Sequence, residues 1–349
     1  MVVDPALAAA PGLTRIVEEL GKSSTVVEVE PAGEQPNDLT NVDRLVGRWA
    51  ATPPDALVAV GGGRELDAVK AVRLRLADPS LVLTDLPPIL DLPNAPAPQV
   101  VAVPTTSGSG ADASWSADLW SADGGPLEVA HRALVPEWSL LDPSLAARLP
   151  PAVVVDGGLE SLTLAAEAYL SAWSNPLSDG LALDAVATVT ERLAHAVRWS
   201  DDPDARAALH YAASAAGLAA SNAQRGLAHA LARALEPSSG LSYGRLLGLL
   251  LPPVLDFAHP SARDRLERLA DRARARDDRS DQSLAQRLRR LYPQLPFPLT
   301  IRAAGGHADR VDAARASVVA RTLRSPGALA NPRVPTAADV DAILTVALG

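Results

Sequence analysis

ALVAVGGGRELDAVKAV, residues 56–72, is the stretch on which the fold turns. Ala56 to Val60 is a continuous apolar run, the pattern of a strand buried on both faces. The run stops at Gly61, Gly62 and Gly63, after which ELDAVKAVRLRLA places apolar residues at helical spacing. A buried strand feeding a helix through three glycines offers a pyrophosphate two things: backbone free of side chains, and unpaired N–H groups at the positive end of a helix dipole. A tight turn that needs positive φ reads the same residues equally well, and the spacing is not that of G-x-G-x-x-G.

Working outward, Met1 to Asp4 is a short apolar run ending in an acid, and the alanine-rich stretch to Gly21 reads as a helix. Ser23 to Glu30 is a β-branched strand candidate, followed by turn-rich PAGEQPND and the helical LTNVDRLVGRWA. Beyond a proline-rich linker, Gln99 to Val103 is another buried strand that runs into Thr105-Thr106-Ser107-Gly108-Ser109-Gly110. That second loop falls at the same carboxyl edge of the sheet, where Thr105, Thr106 and Ser109 hydroxyls can reach phosphate or ribose oxygens; a flexible Ser/Gly loop is the plainer reading. Strands alternate with helices to about residue 150, which predicts an α/β domain with a largely parallel sheet over 1–150. From Leu159 onward the segments are alanine- and leucine-rich helix candidates punctuated by NPLSD, DDPD and EPSSG, so 151–349 is expected to be all-α. Ala262 to Leu291 interleaves charges of both signs at helical spacing and reads as a solvated helix face.

Composition narrows the function classes. The 349 residues are 48% hydrophobic and 21% charged, with mean hydropathy +0.08, which describes a globular protein without a membrane span. With no cysteine there is no disulfide, thiolate nucleophile or zinc–thiolate site. A net charge of −9 argues against nucleic acid as a partner. The opening MVVDPALAAAPGL lacks the basic start and long apolar run of a secretory signal, so a cytoplasmic location is expected. His131, His195, His210, His259 and His307 show no ligand spacing, and His195 and His210 fall in helix patterns that suggest exposure.

VGGGRELDAVKAV resembles the Gly-Gly-Gly-Ser-x-x-Asp-x-Ala-Lys signature of the iron-containing (group III) alcohol dehydrogenase family. VAVPTTSGSGADAS is similar to its Pro-Thr-Thr-Ala-Gly-Thr-Gly-Ser-Glu loop, and SLLDPSLAARLPP, LSAWSNPLSDGLALDAV, SNAQRGLAHALARAL, LLPPVLDF and NPRVPTAADVDAIL resemble later family segments in the same order. The resemblance implies the dehydroquinate synthase-like architecture: an N-terminal Rossmann-like parallel-sheet domain and a C-terminal helical-bundle domain, with NAD or NADP as cofactor. By position it makes Asp4 the adenine-ribose carboxylate and puts Asn37, Gly61, Gly62, Gly63, Asp67, Thr105 and Thr106 around the nucleotide. A carboxylate at position 4 repels a 2′-phosphate, which favours NAD. Arg64 replaces the glycine loop's usual Ser, and Pro126 falls near a family lysine.

The family's metal site uses an Asp and a His one helical turn apart, then two His fourteen residues apart. The corresponding positions here are Glu160, Leu164, His229 and Tyr243. Leucine cannot coordinate, and a phenol with a reference pKa of about 10 is a poor ligand. No tightly bound metal is expected, and the Lewis acid that would polarise a carbonyl must then be replaced. Tyr243 can relay the proton if a cation assists it, and Arg233, one turn after His229, offers that cation and a fork for a substrate carboxylate. A packing role for Tyr243 and a core role for His229 remain the alternatives. The expected catalytic set is therefore Tyr243, Arg233, His229 and Glu160, with Asp156 as a rival for the acidic position. The implied activity is a metal-independent NAD(P)-dependent oxidation of a hydroxyl on a carboxylate-bearing small molecule or peptide. Branches of the family that act on the C-terminal Thr of ribosomal peptides in daptide-type natural-product pathways, by oxidative decarboxylation, match that chemistry. Two rivals stand beside it: a non-catalytic relative that partners another biosynthetic protein, and an NAD-using lyase or cyclase of the dehydroquinate synthase type. A homo-oligomer is compatible with all three.

Overall fold

The strand at Ala56–Gly61 and the helix at Gly63–Ala77 form as the glycine-centred stretch requires. In this computed structural model residues 1–7, 11–23, 26–87, 97–274 and 282–349 are described. They divide into two compact units, one of Met1–Thr106 with Ala111–Ala146, the other of Ser107–Gly110 with Ala147–Gly349.

The first unit carries a five-stranded parallel sheet. In chain order its elements are β1 (Val2–Val3), α1 (Pro11–Gly21), β2 (Glu30–Pro31), α2 (Leu39–Trp49), β3 (Ala56–Gly61), α3 (Gly63–Ala77), β4 (Gln99–Pro104), β5 (Ser116–Trp120), β6 (Pro126–Ala130) and β7 (Trp138–Ser139). The sheet order is β2-β1-β3-β4-β7, so the chain leaves β1 for one side and returns on the other at β3. In open α/β sheets a ligand binds outside the carboxyl ends of the strands at such a reversal. Asp4 and the three glycines stand there, since the Asp4 N–H donates to the Val60 carbonyl at 2.9 Å. Buried Val42, Leu45, Leu66, Val69 and Val72 from α2 and α3 pack with Val2, Leu57 and Ala59 of the sheet in one apolar cluster.

Two features differ from expectation. The strand expected over Ser23 to Glu30 shrinks to Glu30–Pro31. It is an edge strand with β1 as its neighbour, and Val26 and Val29 are exposed (88% and 44%), so the upstream segment gains little from packing; residues 24 and 25 lie outside the described residues. An antiparallel hairpin, β5 with β6, also interrupts the parallel pattern. Its turn carries Gly124 at φ +79, a conformation that glycine adopts without strain.

The second unit is helical: α4 (Pro151–Leu170), α5 (Pro176–Arg198), α6 (Pro203–Ala223), α7 (Leu227–Ser239), α8 (Tyr243–Arg272), α9 (Leu284–Leu291), α10 (Ala308–Arg324), α11 (Pro326–Ala330) and α12 (Ala337–Leu348). Proline opens α4, α5 and α6, where the missing N–H costs nothing. α4 is buried on all sides from Ser161 to Leu170 and packs against α5, α6 and α8, as a helix apolar all round must. α8 kinks at Ala262, two residues past Pro260, whose ring cannot continue the ladder. The interleaved charges after Ala262 pair along the surface, as Arg263–Glu267 and Arg274–Asp271. The loop Ser107–Gly110 lies on this unit because Gly110 meets Gly217 of α6 backbone to backbone. A Cβ on Gly110 would stand 2.4 Å from the Gly217 Cα. Among the described residues no helix is long and apolar enough to cross a membrane.

Candidate active site

The nucleotide-binding candidates of the first unit gather at the start of α3. Gly62 is its N-cap and Gly63 its first residue. A Cβ on Gly61 would come within 2.6 Å of the Glu65 side chain, which leaves no room for one, and a Cβ on Gly62 would crowd Thr106 at 3.3 Å. Thr105 extends the strand pairing, its N–H donating to the Gly61 carbonyl at 2.9 Å. The Asp4 Oδ1 accepts the Ala6 N–H at 2.9 Å.

Two residues expected around the nucleotide have both ends of their side chains engaged within the unit. Asn37 donates through Nδ2 to the Asp118 carbonyl at 2.8 Å and accepts from Arg64 Nε at 3.2 Å. Asp67 accepts from Lys70 Nζ at 2.9 Å and from the Asp118 N–H at 3.0 Å. Burial raises the Asp67 carboxyl above its ordinary range against the pull of the Lys70 charge. Lys70 itself is 0% exposed and also donates to the carbonyls of Ala111 and Ser116 and to Ser114 Oγ. Both residues thus tie α3 and the chain before α2 to the β5 hairpin. Arg64, in place of the family Ser, joins them and reaches Gln35 Oε1 at 2.6 Å.

The second loop is split. Thr105 and Thr106 belong to the first unit, whereas Ser109 travels with the helical one. Its anchor is Ser107 Oγ, 3.1 Å from His210 Nδ1 on α6. This corrects the expectation of an exposed His210, which is 1% exposed: alanines on both flanks let α6 bury that face. His195 is exposed as expected and bonds Asp202 at 2.7 Å.

In the helical unit the chemistry centres on the start of α7. Gly226 is its N-cap and has no side chain to satisfy the first N–H groups. Glu167, on α4, does so instead: its carboxylate accepts from Gly226 N at 2.9 Å, from Ala228 N and, more weakly, from His229 N at 3.4 Å. The same carboxylate lies 2.6 Å from His229 Nδ1. An ionised carboxylate only accepts, so Nδ1 carries the proton and the lone pair is left on Nε2. Negative charge at a helix N-terminus is favourable, and a carboxylate behind an imidazole fixes its tautomer and angle. Sequence reasoning missed Glu167 as a candidate; the signal was an acid inside the mostly apolar, fully buried stretch from Ser161 to Leu170.

Tyr243, the first residue of α8, meets the His229 ring edge-on with centroids 6.1 Å apart. Asp156 fixes that helix start, accepting from Ser242 Oγ at 2.6 Å and from Arg245 Nε at 2.7 Å, and the Gly244 backbone lies against the Asp156 carbonyl. Asp156 thus holds the start of α8. The Glu160 carboxylate abuts Gly108, where a Cβ would stand 2.7 Å from Oε2. Arg233 has an acidic neighbour on its own helix. Its Nη1 is 2.6 Å from Glu236 Oε2, one turn further along α7, so a substrate carboxylate would have to compete with that partner.

The four ligand positions do not fit a resident metal. Glu160 and His229 offer ordinary donors, but Leu164 is 3% exposed within the apolar core and Tyr243 offers a phenol. Among the described residues no group of three or more His, Asp or Glu side chains is placed to hold an ion.

Comparison with known proteins follows the same division. Residues 1–143 match the profile of iron-containing alcohol dehydrogenases, and residues 154–348 that of the C-terminal part of the Fe-containing alcohol dehydrogenase family. The probable alcohol dehydrogenase EutG of Salmonella typhimurium is 30% identical over 343 residues, 97% of this chain and 85% of that protein. Its Escherichia coli counterpart is 33% identical over 272 residues, 77% of this chain and 67% of that one. Among solved structures, a 1,3-propanediol oxidoreductase superposes with a TM-score of 0.90 at 24% identity, covering 99% of this chain and 91% of the other. The sulfoacetaldehyde reductase of Bifidobacterium kashiwanohense, solved in complex with NAD+, does so at 0.86 and 21%, with 99% and 90% covered. Sequence profiles over both units and relatives of this similarity establish that the chain belongs to the iron-containing alcohol dehydrogenase family.

Proposed function

We propose that this alcohol dehydrogenase-like oxidoreductase uses NAD, and that His229 and Tyr243 take over the proton and charge handling that a metal performs at those positions in its family. Bound nicotinamide would accept the hydride from an alcohol carbon or return it to a carbonyl. The observation that carries the reading is the pair Glu167–His229 at the start of α7, 2.6 Å apart and both buried. With Nδ1–H committed to Glu167, Nε2 is an available base, and the positive end of α7 favours the developing negative oxygen. In the oxidative direction the substrate hydroxyl proton passes to Nε2, directly or through the Tyr243 hydroxyl, while the carbon gives up its hydride. The carboxylate of Glu167 offsets the imidazolium that results.

In the other unit, Asp4, the glycine loop and Thr106 are the supports for the nucleotide, and the Asp4 charge is the reason to prefer NAD over NADP. A hydroxy-acid or peptide C-terminus as substrate rested on Arg233, and its pairing with Glu236 weakens that support. A non-catalytic relative that partners another enzyme remains the second reading, favoured by Leu164 at a ligand position.

The test is direct. NAD+ added to the purified protein should quench tryptophan fluorescence and raise Tm, NADP+ should do so less, and iron and zinc should be far below one equivalent. Absence of any response to either nucleotide would leave the non-catalytic reading; a stoichiometric metal would refute metal-independent chemistry.

A further inference from the structure

At the start of α3 the Glu65 side chain turns back over the glycine loop. Its Cβ and Cγ stand 2.6 Å, and its Oε2 3.0 Å, from where a Cβ on Gly61 would be, and Oε2 is 3.4 Å from the corresponding point on Gly62. Glu65 is the third residue of the helix, the position from which a glutamate reaches back to the N-cap N–H in a capping box. Gly62 has no side chain to complete the box, so the carboxylate alone serves that end. Burial raises its pKa above the ordinary value, and the nearby N–H groups of Gly62 and of Glu65 itself oppose that shift. Asp4 adds a like charge and Arg64 an opposite one. These N–H groups, at the positive end of α3, are the donors that suit a pyrophosphate.

We propose that Glu65 is an internal occupant of the pyrophosphate seat, a latch that a dinucleotide must displace and that sets the affinity of this chain for its cofactor. The proposal rests on the reading of the glycine loop as the nucleotide site. An anion and the Glu65 carboxylate cannot occupy the same space over Gly61 and Gly62, so a ligand reaches those N–H groups only as Glu65 leaves. Each negative charge is favourable there alone and repels the other. Because Glu65 is on the first turn, its side chain can swing to solvent without moving the helix.

Calorimetric titration of NAD+ and of ADP into the wild type, Glu65→Ala and Glu65→Gln tests the latch. Alanine should tighten both nucleotides by about tenfold, the scale of one anion at a helix terminus. Glutamine keeps an acceptor but loses the charge and should tighten them by about threefold, one half of that effect on the logarithmic scale. Without ligand, Glu65→Ala should melt below the wild type because its helix end is uncapped; saturating NAD+ should remove that deficit. Wild-type binding with no tightening in either variant would overturn the latch and leave the nucleotide site standing. Failure of all three proteins to bind either nucleotide would overturn the site, and the latch with it.

Discussion

Two helices, α3 and α7, begin in the same way and end up with opposite assignments. Each has a glycine N-cap without a capping side chain, and each has a glutamate carboxylate placed at that end. At α3 the glutamate is local, three residues past the cap. At α7 it comes from 59 residues upstream, is buried, and also holds an imidazole. A local carboxylate can leave, because its loss uncovers groups that solvent or a ligand can reach. A remote one cannot: Glu167 leaves behind a buried helix end and a histidine whose ring it holds through Nδ1. The first arrangement suits a seat that a ligand takes and vacates, the second a fixed general base.

The strongest way to break this contrast is at Glu167. Removing its carboxylate by Glu167→Ala orphans the Gly226 and Ala228 N–H groups and the His229 Nδ1–H together. The loss should be about 3–5 kcal/mol in urea unfolding, with activity lost as well. A cost below about 1 kcal/mol would mean water replaces the carboxylate and the site is not dry. Next in size is Tyr243→Phe, which keeps the ring against His229 and deletes the hydroxyl. It should reduce kcat by about 10²–10³-fold with Tm unchanged, if the phenol moves the proton. Wild-type kcat would make Tyr243 a packing residue and leave His229 to work alone.

The difference between the two helix starts also explains what the sequence made legible. The Gly61–Gly63 interruption fixed strand, turn and helix because all three signals are local. The helical unit was legible for the same reason, through proline at the first turns of α4, α5 and α6. Glu160, His229 and Tyr243 could be placed only through the family spacing. What could not be read were partners distant along the chain: Glu167 for His229, Ser107 for His210, Asp118 for Asn37 and Asp67. Arg233 is the opposite case, with an acidic neighbour close along the chain. An acid three residues along its own helix was the simplest partner for it, and it is the partner it has.

A third helix start sharpens the rule. α6 is capped by its own Asp202, which accepts from the N–H groups of Asp204 and Ala205. Arg206, in that first turn, is 4% exposed, and its Nε and both Nη atoms are buried with no hydrogen-bond partner. Burial lowers its pKa, with no counter-charge to oppose it. Unlike the two glutamates, this charge has no partner among the described residues, so Arg206→Met should be neutral or stabilising by about 1 kcal/mol. A loss above about 2 kcal/mol would show that the guanidinium contributes bonds or packing that outweigh its desolvation.

The smallest effect lies at Glu65 and is a matter of sign. Its folded-state pKa is raised above its ordinary 4.5, so the folded chain holds that proton more tightly than the unfolded chain does. The unfolded state therefore binds fewer protons in that window, and stability falls as pH rises from about 4.5 through the raised value. Asp67, raised by burial as well, adds a slope of the same sign. Glu65→Gln cannot titrate and removes only the Glu65 part. Its stability relative to the wild type should thus be greater at about pH 7 than at about pH 4, by less than about 1 kcal/mol, in urea melts at matched ionic strength. A difference that is constant with pH would mean the carboxylate is as well solvated in its seat as in the unfolded chain. The ease with which a ligand could displace it would then owe nothing to desolvation.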